Sequence, residues 1–289
     1  MGSDSPGVEA GRVGATQFLE RPDGRLAYDI RGQGPLVLCS PGLGNLRGTF
    51  DDLVEPLVAA GFTVATVDLR GHGESTSHWP SYNETDVACD LVDLIEALGV
   101  GPAVLLGNSF SAAAAVVAAA DNPGLVTGLV LTGPYLREQP KTLVGAFGRW
   151  VITRPAIGRW AWNRYWPRLF GPRKPADLAT RVRTVSVNLA EPGRYDAVRA
   201  MLSASHHTAD QALPDITCPT LVVMGDADPC FADPEGEAWY AAERTDGLAE
   251  VLMVRGAGHY PHAECPQCVS STVVRFLRSA CFGEKPTIG

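Results

Sequence analysis

The chain has 289 residues, of which 45% are hydrophobic, and its formal net charge is −8. This length fits one large α/β domain with an insertion, or two small domains, and the composition is that of an ordinary globular protein. The negative charge argues against a nucleic-acid partner, and apolar runs shorter than the roughly 20 residues that cross a bilayer argue against stable membrane insertion.

The N-terminal residues 1–14 have neither a basic block nor an apolar block, so they predict a flexible tail rather than a signal peptide. The seven cysteines are odd in number and scattered, which fits a reducing compartment and predicts a cytoplasmic protein. Cys265 and Cys268 have CxxC spacing. Without a second pair or a thioredoxin-like context, we interpret them as free thiols at a helix start and predict no metal or cofactor.

Strands and turns dominate the first third of the chain. Pro22-Asp23-Gly24 is a turn signal between two short strands and predicts a hairpin. The predicted elements of this part are strands 17–20, 25–30 and 35–39, helix 50–60, strand 62–68 and helix 85–98. The second of these helices shows apolar residues at helical spacing, from Val87 to Leu98.

The alternation of strand and helix continues and is then interrupted after Gly133-Pro134. The predicted elements are strand 103–106, helix 110–120, strand 125–131, strands 220–224 and 250–254, and helix 269–277. Nearly continuous apolar strands that alternate with helices indicate a parallel sheet covered on both faces. The predicted organisation is an α/β core of residues 15–134 and 214–280, a helical cap of residues 135–213, and a C-terminal tail of residues 281–289.

The segment Gly107-Asn108-Ser109-Phe110-Ser111 lies between a predicted strand and a predicted helix. A serine on such a turn is raised out of the sheet, and the backbone N–H of the next residue, Phe110, points at the charge that develops during its attack. The usual G-x-S-x-G pattern ends in glycine, whereas this chain has Ser111. The motif alone favours a structural serine, so the case for a nucleophile depends on a base and an acid elsewhere.

A base and an acid follow later strands of the predicted sheet. His259 lies just after the last strand, where a parallel sheet presents its carboxyl edge, and is the predicted base; the nearby His262 is interpreted as a packing or rim residue. Asp228 follows strand 220–224 and is the predicted acid, with Asp226 as the alternative. Aspartate is also common in such turns, but Ser109, Asp228 and His259 each follow an apolar strand in a consistent order.

With these residues the chain resembles the α/β-hydrolase family over about residues 18–277. Further matches are DGRLAYDIRGQGPLVL near the start, DLRGHGES at 68–75, LVVMGDADP and GAGHYPHAECP. The resemblance implies about eight mostly parallel strands with helices on both faces, the triad order Ser-Asp-His, and an oxyanion hole formed by the Leu43 and Phe110 N–H groups. The family's loop here usually begins His-Gly. Pro41 stands in place of that histidine, which leaves open how the loop is supported.

Smaller similarities bear on the subfamily. Haloalkane dehalogenases and epoxide hydrolases of this fold have Asp where this chain has Ser109, so those activities are not expected. The Gly-Asn-Ser opening is similar to that of carbon–carbon bond hydrolases, and Ser-Phe-Ser-Ala resembles the elbow of small-molecule receptor and signalling hydrolases.

The stretch 139–183 is basic and aromatic in an otherwise acidic protein. It has ten Lys and Arg residues, Asp177 as its one acid, and four tryptophans. The simpler interpretation is that the tryptophans pack the cap on the core while the arginines face solvent. The alternative is an aromatic mouth for a bulky substrate, with arginines that recruit an anionic group or an acyl-carrier partner. The residues predicted to contact substrate in that case are Tyr135, Trp150, Trp162 and Trp166.

The sequence thus predicts a serine hydrolase that cleaves an ester or lactone bond of a hydrophobic small molecule. Thioester hydrolysis and carbon–carbon bond hydrolysis use the same triad and remain alternatives. A receptor-like protein that binds a small molecule with little turnover is the alternative from another class.

Overall fold

Eight strands follow the apolar runs of the sequence in a computed structural model, which describes residues 15–139 and 143–283. The predicted N-terminal tail, residues 140–142 of the predicted cap and residues 284–289 lie outside this range. The strands are β1 (Gln17–Arg21), β2 (Gly24–Arg31), β3 (Leu36–Ser40), β4 (Thr63–Val67), β5 (Ala103–Asn108), β6 (Val126–Thr132), β7 (Thr220–Gly225) and β8 (Ala249–Val254). Both boundaries of each predicted strand lie within two residues of the boundaries of the corresponding observed strand.

The strands form one eight-stranded sheet in the order β1-β2-β4-β3-β5-β6-β7-β8. Strand β2 is antiparallel to β1 and β4, and the remaining neighbours pair in parallel. Strands β3, β4, β5 and β7 are buried at every position, as expected for strands covered on both faces. The predicted fold class is therefore confirmed.

Helices cover both faces of the sheet and also make up the segment between β6 and β7. The helices are α1 (Asp51–Ala59), α2 (Glu84–Leu98), α3 (Phe110–Asp121), α4 (Leu143–Ile152), α5 (Gly158–Tyr165), α6 (Leu178–Asn188), α7 (Arg194–Leu202), α8 (His207–Ala212), α9 (Pro234–Arg244), α10 (Pro261–Glu264) and α11 (Pro266–Phe276). One core cluster packs α2, α3 and α9 on the sheet, and a second packs α1 and α11 on the opposite face. No helix in the two described ranges is long and apolar enough to cross a membrane.

Helix α9 was not predicted, and its sequence explains why. The residues that it buries are the small Ala238, Ala241 and Ala242, which give a weak apolar periodicity. The predicted C-terminal tail also begins too early: Cys281 ends a final helical turn, Leu277–Cys281, and its sulfur lies against Gly128 of β6.

The segment between β6 and β7 is helical, as predicted, and has a small apolar cluster of its own. Trp162, Trp166 and Phe170 pack there against Tyr260 of the core. At the end of this segment, α8 packs on α3, and Ala209 belongs to the core cluster on that face of the sheet.

Candidate active site

Ser109 lies on a sharp turn between β5 and α3. Its φ of 54° and ψ of −115° put a non-glycine residue in a backbone region that L-amino acids rarely adopt. A methyl group at Gly107 would lie 2.5 Å from the Ser111 carbonyl oxygen, so the turn requires glycine at that position. The Ser109 N–H donates to the Thr132 carbonyl on the neighbouring strand at 3.0 Å, which fixes the turn to the sheet.

His259 and Asp228 reach the same point from two later loops. The Nε2 atom of His259 lies 2.8 Å from the Ser109 Oγ, and its Nδ1 lies 2.7 Å from the Asp228 Oδ2. The three predicted residues are therefore brought together in one hydrogen-bonded chain. All three are almost enclosed; Ser109, at 9% exposed, is the most accessible.

Burial and the neighbouring Asp228 carboxylate act in opposite directions on the pKa of His259. Burial lowers the pKa of its imidazole, but the adjoining Asp228 carboxylate raises that pKa, and the net result lies well above the ordinary value for histidine. Burial also raises the pKa of the nearby Cys230 thiol, which therefore stays uncharged at neutral pH. Asp228 is thus the anion that stabilises the protonated imidazole.

The alternative residues do not join this chain. Asp226 is exposed, and its Oδ1 accepts the Gly256 N–H at 2.6 Å. His262 is fully buried, where its ring stacks on Phe50 and its nitrogens lie 3.2 Å and 3.1 Å from the Thr49 and Thr132 hydroxyls. Burial lowers the pKa of His262 to about 3, so this histidine is a neutral packing residue.

The loop after β3, residues 41–45 (the β3 loop), lies directly beside the serine. A methyl group at Gly42 would lie 3.0 Å from the Ser109 Cβ. Inside the loop, the Asn45 N–H donates to the Gly42 carbonyl at 3.2 Å, which forms a turn. Leu43 contacts both the core cluster that contains Phe110 and the cluster around Trp162. The predicted oxyanion donors, Leu43 and Phe110, thus belong to segments that flank Ser109.

Aromatic rings line the approach to the triad. The Tyr135 ring lies 5.5 Å from Phe231, which lies 6.3 Å from the His259 ring. His206 lies 4.6 Å from Tyr135 and 6.0 Å from Phe110, and its Nδ1 hydrogen-bonds the carboxylate of buried Glu84. The rings of Tyr135, Phe231 and Phe110 (the aromatic wall) are apolar, and the hydrogen-bonded pair of His206 and Glu84 adds polar groups at a fixed position.

The four predicted substrate-contacting residues divide into two groups. Tyr135 belongs to the aromatic wall, and its N–H lies 3.5 Å from the Ser109 carbonyl. Trp162 and Trp166 are buried in the aromatic cluster between cap and core. Trp150 is not brought to the site: its indole is 51% exposed, beside Phe147 and under the Arg154 guanidinium. The Arg154 guanidinium lies over its ring, so Trp150 does not line the aromatic mouth that the composition of this stretch suggested.

Potential metal ligands also meet at this point. The ligand atoms of Asp228, Cys230 and His259 lie within 4.8 Å of one another, and this is the one such cluster of three among the described residues. Two of these groups are already hydrogen-bonded to each other in the triad. The cysteines of the CxxC pair, Cys265 and Cys268, are free thiols.

Comparison with known proteins identifies the family of this chain. A sequence model of the alpha/beta hydrolase family matches residues 36–268. The chain belongs to the alpha/beta hydrolase family. This membership confirms the predicted family and the prediction that the protein is a hydrolase.

Relatives within the alpha/beta hydrolase family are distant but match over most of their length. A 2-(acetamidomethylene)succinate hydrolase of Mesorhizobium japonicum is 28% identical over 93% of this chain and 98% of that protein. The monoglyceride lipase of Homo sapiens is 25% identical over 82% of this chain and 78% of the lipase. The structure of a thermophilic esterase from Thermogutta terrifontis superposes with a TM-score of 0.75 at 23% identity, over 93% of this chain and all of the esterase.

The two departures from the alpha/beta hydrolase pattern contact each other. The Ser111 hydroxyl, where the pattern has glycine, donates to the carbonyl of Pro41, where the pattern has histidine. The Ser40 hydroxyl donates to the Ser111 Oγ at 2.9 Å. The Ser111 hydroxyl therefore supports the β3 loop, because it pairs with the backbone carbonyl of Pro41.

A second support of the β3 loop was not recognised in the sequence. The Gly44 N–H donates to the His72 Nε2 at 2.9 Å, and the His72 Nδ1–H donates to the Arg70 carbonyl at 3.0 Å. Burial lowers the pKa of His72 to about 4, so the ring is neutral and can accept the Gly44 proton. The DLRGHGES match was a signal for this histidine, but its partner could not be read from the sequence.

Glu264 is another residue that sequence reasoning missed. Its buried carboxylate accepts the N–H groups of Gly171, Gly258 and Tyr260, at 2.7 to 3.1 Å. It therefore joins the loop that carries His259 to the segment after α5. Glu264 lies inside the GAGHYPHAECP match, but its three partners could not be read from the sequence.

Proposed function

We propose that this hydrolase cleaves an ester or lactone bond of a hydrophobic small molecule, with Ser109, His259 and Asp228 as its catalytic triad. One observation carries the proposal. The hydrogen-bonded chain from Ser109 through His259 to Asp228 has distances of 2.8 Å and 2.7 Å, on a turn that presents the hydroxyl at a helix start. This arrangement activates a serine for acyl transfer.

The reaction proceeds through an acyl-enzyme. His259 takes the proton of Ser109 as the Oγ attacks the carbonyl carbon, and the Asp228 carboxylate stabilises the imidazolium that forms. The imidazolium then gives its proton to the leaving alkoxide. Water, deprotonated by His259, attacks the acyl-enzyme and releases the acid.

Backbone amides stabilise the negative charge of the tetrahedral intermediate. Phe110 is the first residue of α3, and an amide at that position has no partner within its helix. The Leu43 amide donates to no other group within the described ranges. Two such N–H groups on either side of Ser109 support their role as the oxyanion hole.

The substrate class follows from the walls of the site. Phe231 lies next to His259 and Tyr135 next to Phe231, while Trp162 and Trp166 pack in the cluster that contains Tyr260; these apolar rings near the triad suit a hydrophobic acyl or alcohol group. Segment 135–213 acts as the cap, since it supplies Trp162 at the β3 loop and Leu169, whose carbonyl accepts the His259 N–H at 2.8 Å. The names of the lipase and esterase relatives support ester cleavage.

The cysteines support a cytoplasmic location. All seven are free, from buried Cys39 to exposed Cys89, which is the state expected in a reducing compartment.

The test is active-site labelling combined with turnover. We expect a fluorophosphonate to modify Ser109 in wild type, steady hydrolysis of short p-nitrophenyl esters, and loss of both signals in Ser109→Ala, with Ser271→Ala as the exposed control. Thioester, acetamido and carbon–carbon substrates in the same assay identify the preferred bond. Labelling of another residue, or full activity in Ser109→Ala, contradicts the mechanism. One burst without turnover favours a receptor-like role.

A further inference from the structure

Two buried N–H donors, one on the β3 loop and one packed against it, have no acceptor. The indole Nε1 of Trp162 and the side-chain Nδ2 of Asn45 find no hydrogen-bond partner among the described residues. Trp162 is 3% exposed and Asn45 is 4% exposed, so solvent does not readily supply the missing acceptor. Buried donors in folded proteins are nearly always paired, because an unpaired one costs about 1–3 kcal/mol.

Asn45 belongs to the β3 loop, and Trp162 packs on the residue before it. A methyl group at Gly44 would lie 2.8 Å from the Trp162 Nε1, so the indole lies directly on the residue between Leu43 and Asn45. The Asn45 side chain is oriented by its other end, since its Oδ1 accepts the Leu46 N–H at 2.9 Å. The Nδ2 atom is therefore the donor end of a fixed amide, next to the proposed oxyanion donor.

The chemistry of the two donors indicates what they bind. Both are uncharged, and the imidazole on the same loop, His72, is neutral because burial lowers its pKa to about 4. A carbonyl or ether oxygen is satisfied by uncharged N–H groups, whereas a carboxylate costs more free energy to bury when no positive charge is paired with it. A neutral acceptor is therefore the better match.

We propose that Trp162 and Asn45 form a subsite for a second, uncharged oxygen acceptor of the substrate, in addition to the carbonyl that Ser109 attacks. The inference rests on the proposed hydrolase function and narrows its substrate class to esters or lactones that carry a further carbonyl or ether oxygen close to the scissile bond. An analogue without that oxygen leaves the two donors unpaired, and a site of this kind discriminates against such analogues.

Two matched pairs of esters test the subsite. On the acyl side, p-nitrophenyl 4-oxopentanoate is compared with p-nitrophenyl pentanoate; on the alcohol side, 2-methoxyethyl butanoate is compared with butyl butanoate. We expect wild type to prefer the oxygen-bearing member of at least one pair by about 10-fold in kcat/KM. In Trp162→Phe we expect that preference to be lost, because kcat/KM falls more for the oxygen-bearing ester than for its oxygen-free partner.

A second variant separates the donor from the shape of the ring. Benzothienylalanine at position 162 replaces the indole N–H by sulfur and retains the size of the bicyclic ring. We expect the same loss of preference as in Trp162→Phe, whereas Trp239→Phe, an exposed tryptophan on α9, retains the wild-type preference.

Each outcome has a defined meaning. Hydrolysis of all four esters without preference, or equal losses on both members of each pair, overturns the subsite while leaving the hydrolase intact. No hydrolysis of any ester, and no fluorophosphonate labelling, counts against the proposed function instead. The carboxylate of p-nitrophenyl hydrogen succinate also attacks its own ester, so its spontaneous rate is subtracted first. A higher kcat/KM for this ester than for the 4-oxopentanoate after that subtraction shows that the acceptor is anionic and overturns the neutral subsite.

Discussion

Replacing Ser111 by glycine restores the residue that the family pattern has at this position, yet we expect it to impair the enzyme. The Ser111 hydroxyl joins Ser40 to the Pro41 carbonyl, and both partners are buried. Glycine leaves that carbonyl without a donor, at a cost of about 1–3 kcal/mol. Some of this free energy appears as lower stability, and the rest as a displacement of the β3 loop.

The displacement acts on the proposed oxyanion donor, the Leu43 amide, two residues after Pro41. Complete loss of such a donor lowers kcat by roughly 100- to 1,000-fold in serine hydrolases, so partial misalignment corresponds to about 10-fold. The KM should change by less than about twofold, because the oxyanion exists only after Ser109 has attacked. The assay is kcat and KM for a p-nitrophenyl ester, with the Tm of each variant measured in parallel.

Two further variants make this prediction specific. Ser40→Ala removes the donor to Ser111 but keeps the Ser111–Pro41 hydrogen bond, and we expect less than about a threefold loss in kcat. The double variant Ser111→Gly with Pro41→His contains both residues of the family pattern but still lacks the Ser111 donor to the carbonyl of residue 41, so we expect the same loss of kcat as in Ser111→Gly. An unchanged kcat in Ser111→Gly, or a loss confined to KM, refutes the reasoning.

The remaining predictions concern pH and the β3 loop. The kcat/KM should rise with pH as His259 loses its proton, with a midpoint above 6.5 because Asp228 raises the pKa of His259. Asp228→Asn removes that negative charge and should lower both the midpoint and kcat. A midpoint at or below 6.5 in wild type contradicts the assignment of His259 as the base paired with Asp228. Gly44→Ala places a methyl group 2.5 Å from the Trp162 ring at a φ of +68° and should reduce kcat/KM at least 10-fold; wild-type kinetics would show that the indole can move aside.

The fold could be predicted from sequence because its strands are buried and its helices alternate with them. Runs such as residues 103–106 are apolar without a polar interruption, which is typical of a strand in a parallel sheet covered on both faces. The positions of His259 and Asp228 followed from the same rule, since each comes directly after a strand whose carboxyl end faces the site. For His259 and Asp228, the local sequence pattern and the position in the fold agree, so both residues could be predicted from the sequence.

The cap was less predictable because its aromatic residues carry two different roles. Trp150 and Trp162 are both tryptophans in basic helices, but the first is half exposed and the second is buried against Gly44. Helical periodicity assigns a face to each residue, yet it does not say which face lies on the core. Glu264 and His72 were missed for a related reason, since a buried polar residue is recognised by its partners rather than by its neighbours in sequence.

The pair of Pro41 and Ser111 shows why departures from a family pattern are better interpreted together. In the sequence they are 70 residues apart and appear as two separate weaknesses of the site. The contact exists because β3 and β5 are neighbours, with Ser40 opposite Gly107, and that strand order cannot be deduced from the apolar pattern. Since the Ser111 hydroxyl satisfies the Pro41 carbonyl, a return to the family residue at position 111 removes a hydrogen bond on which the β3 loop depends, and it is expected to impair the enzyme.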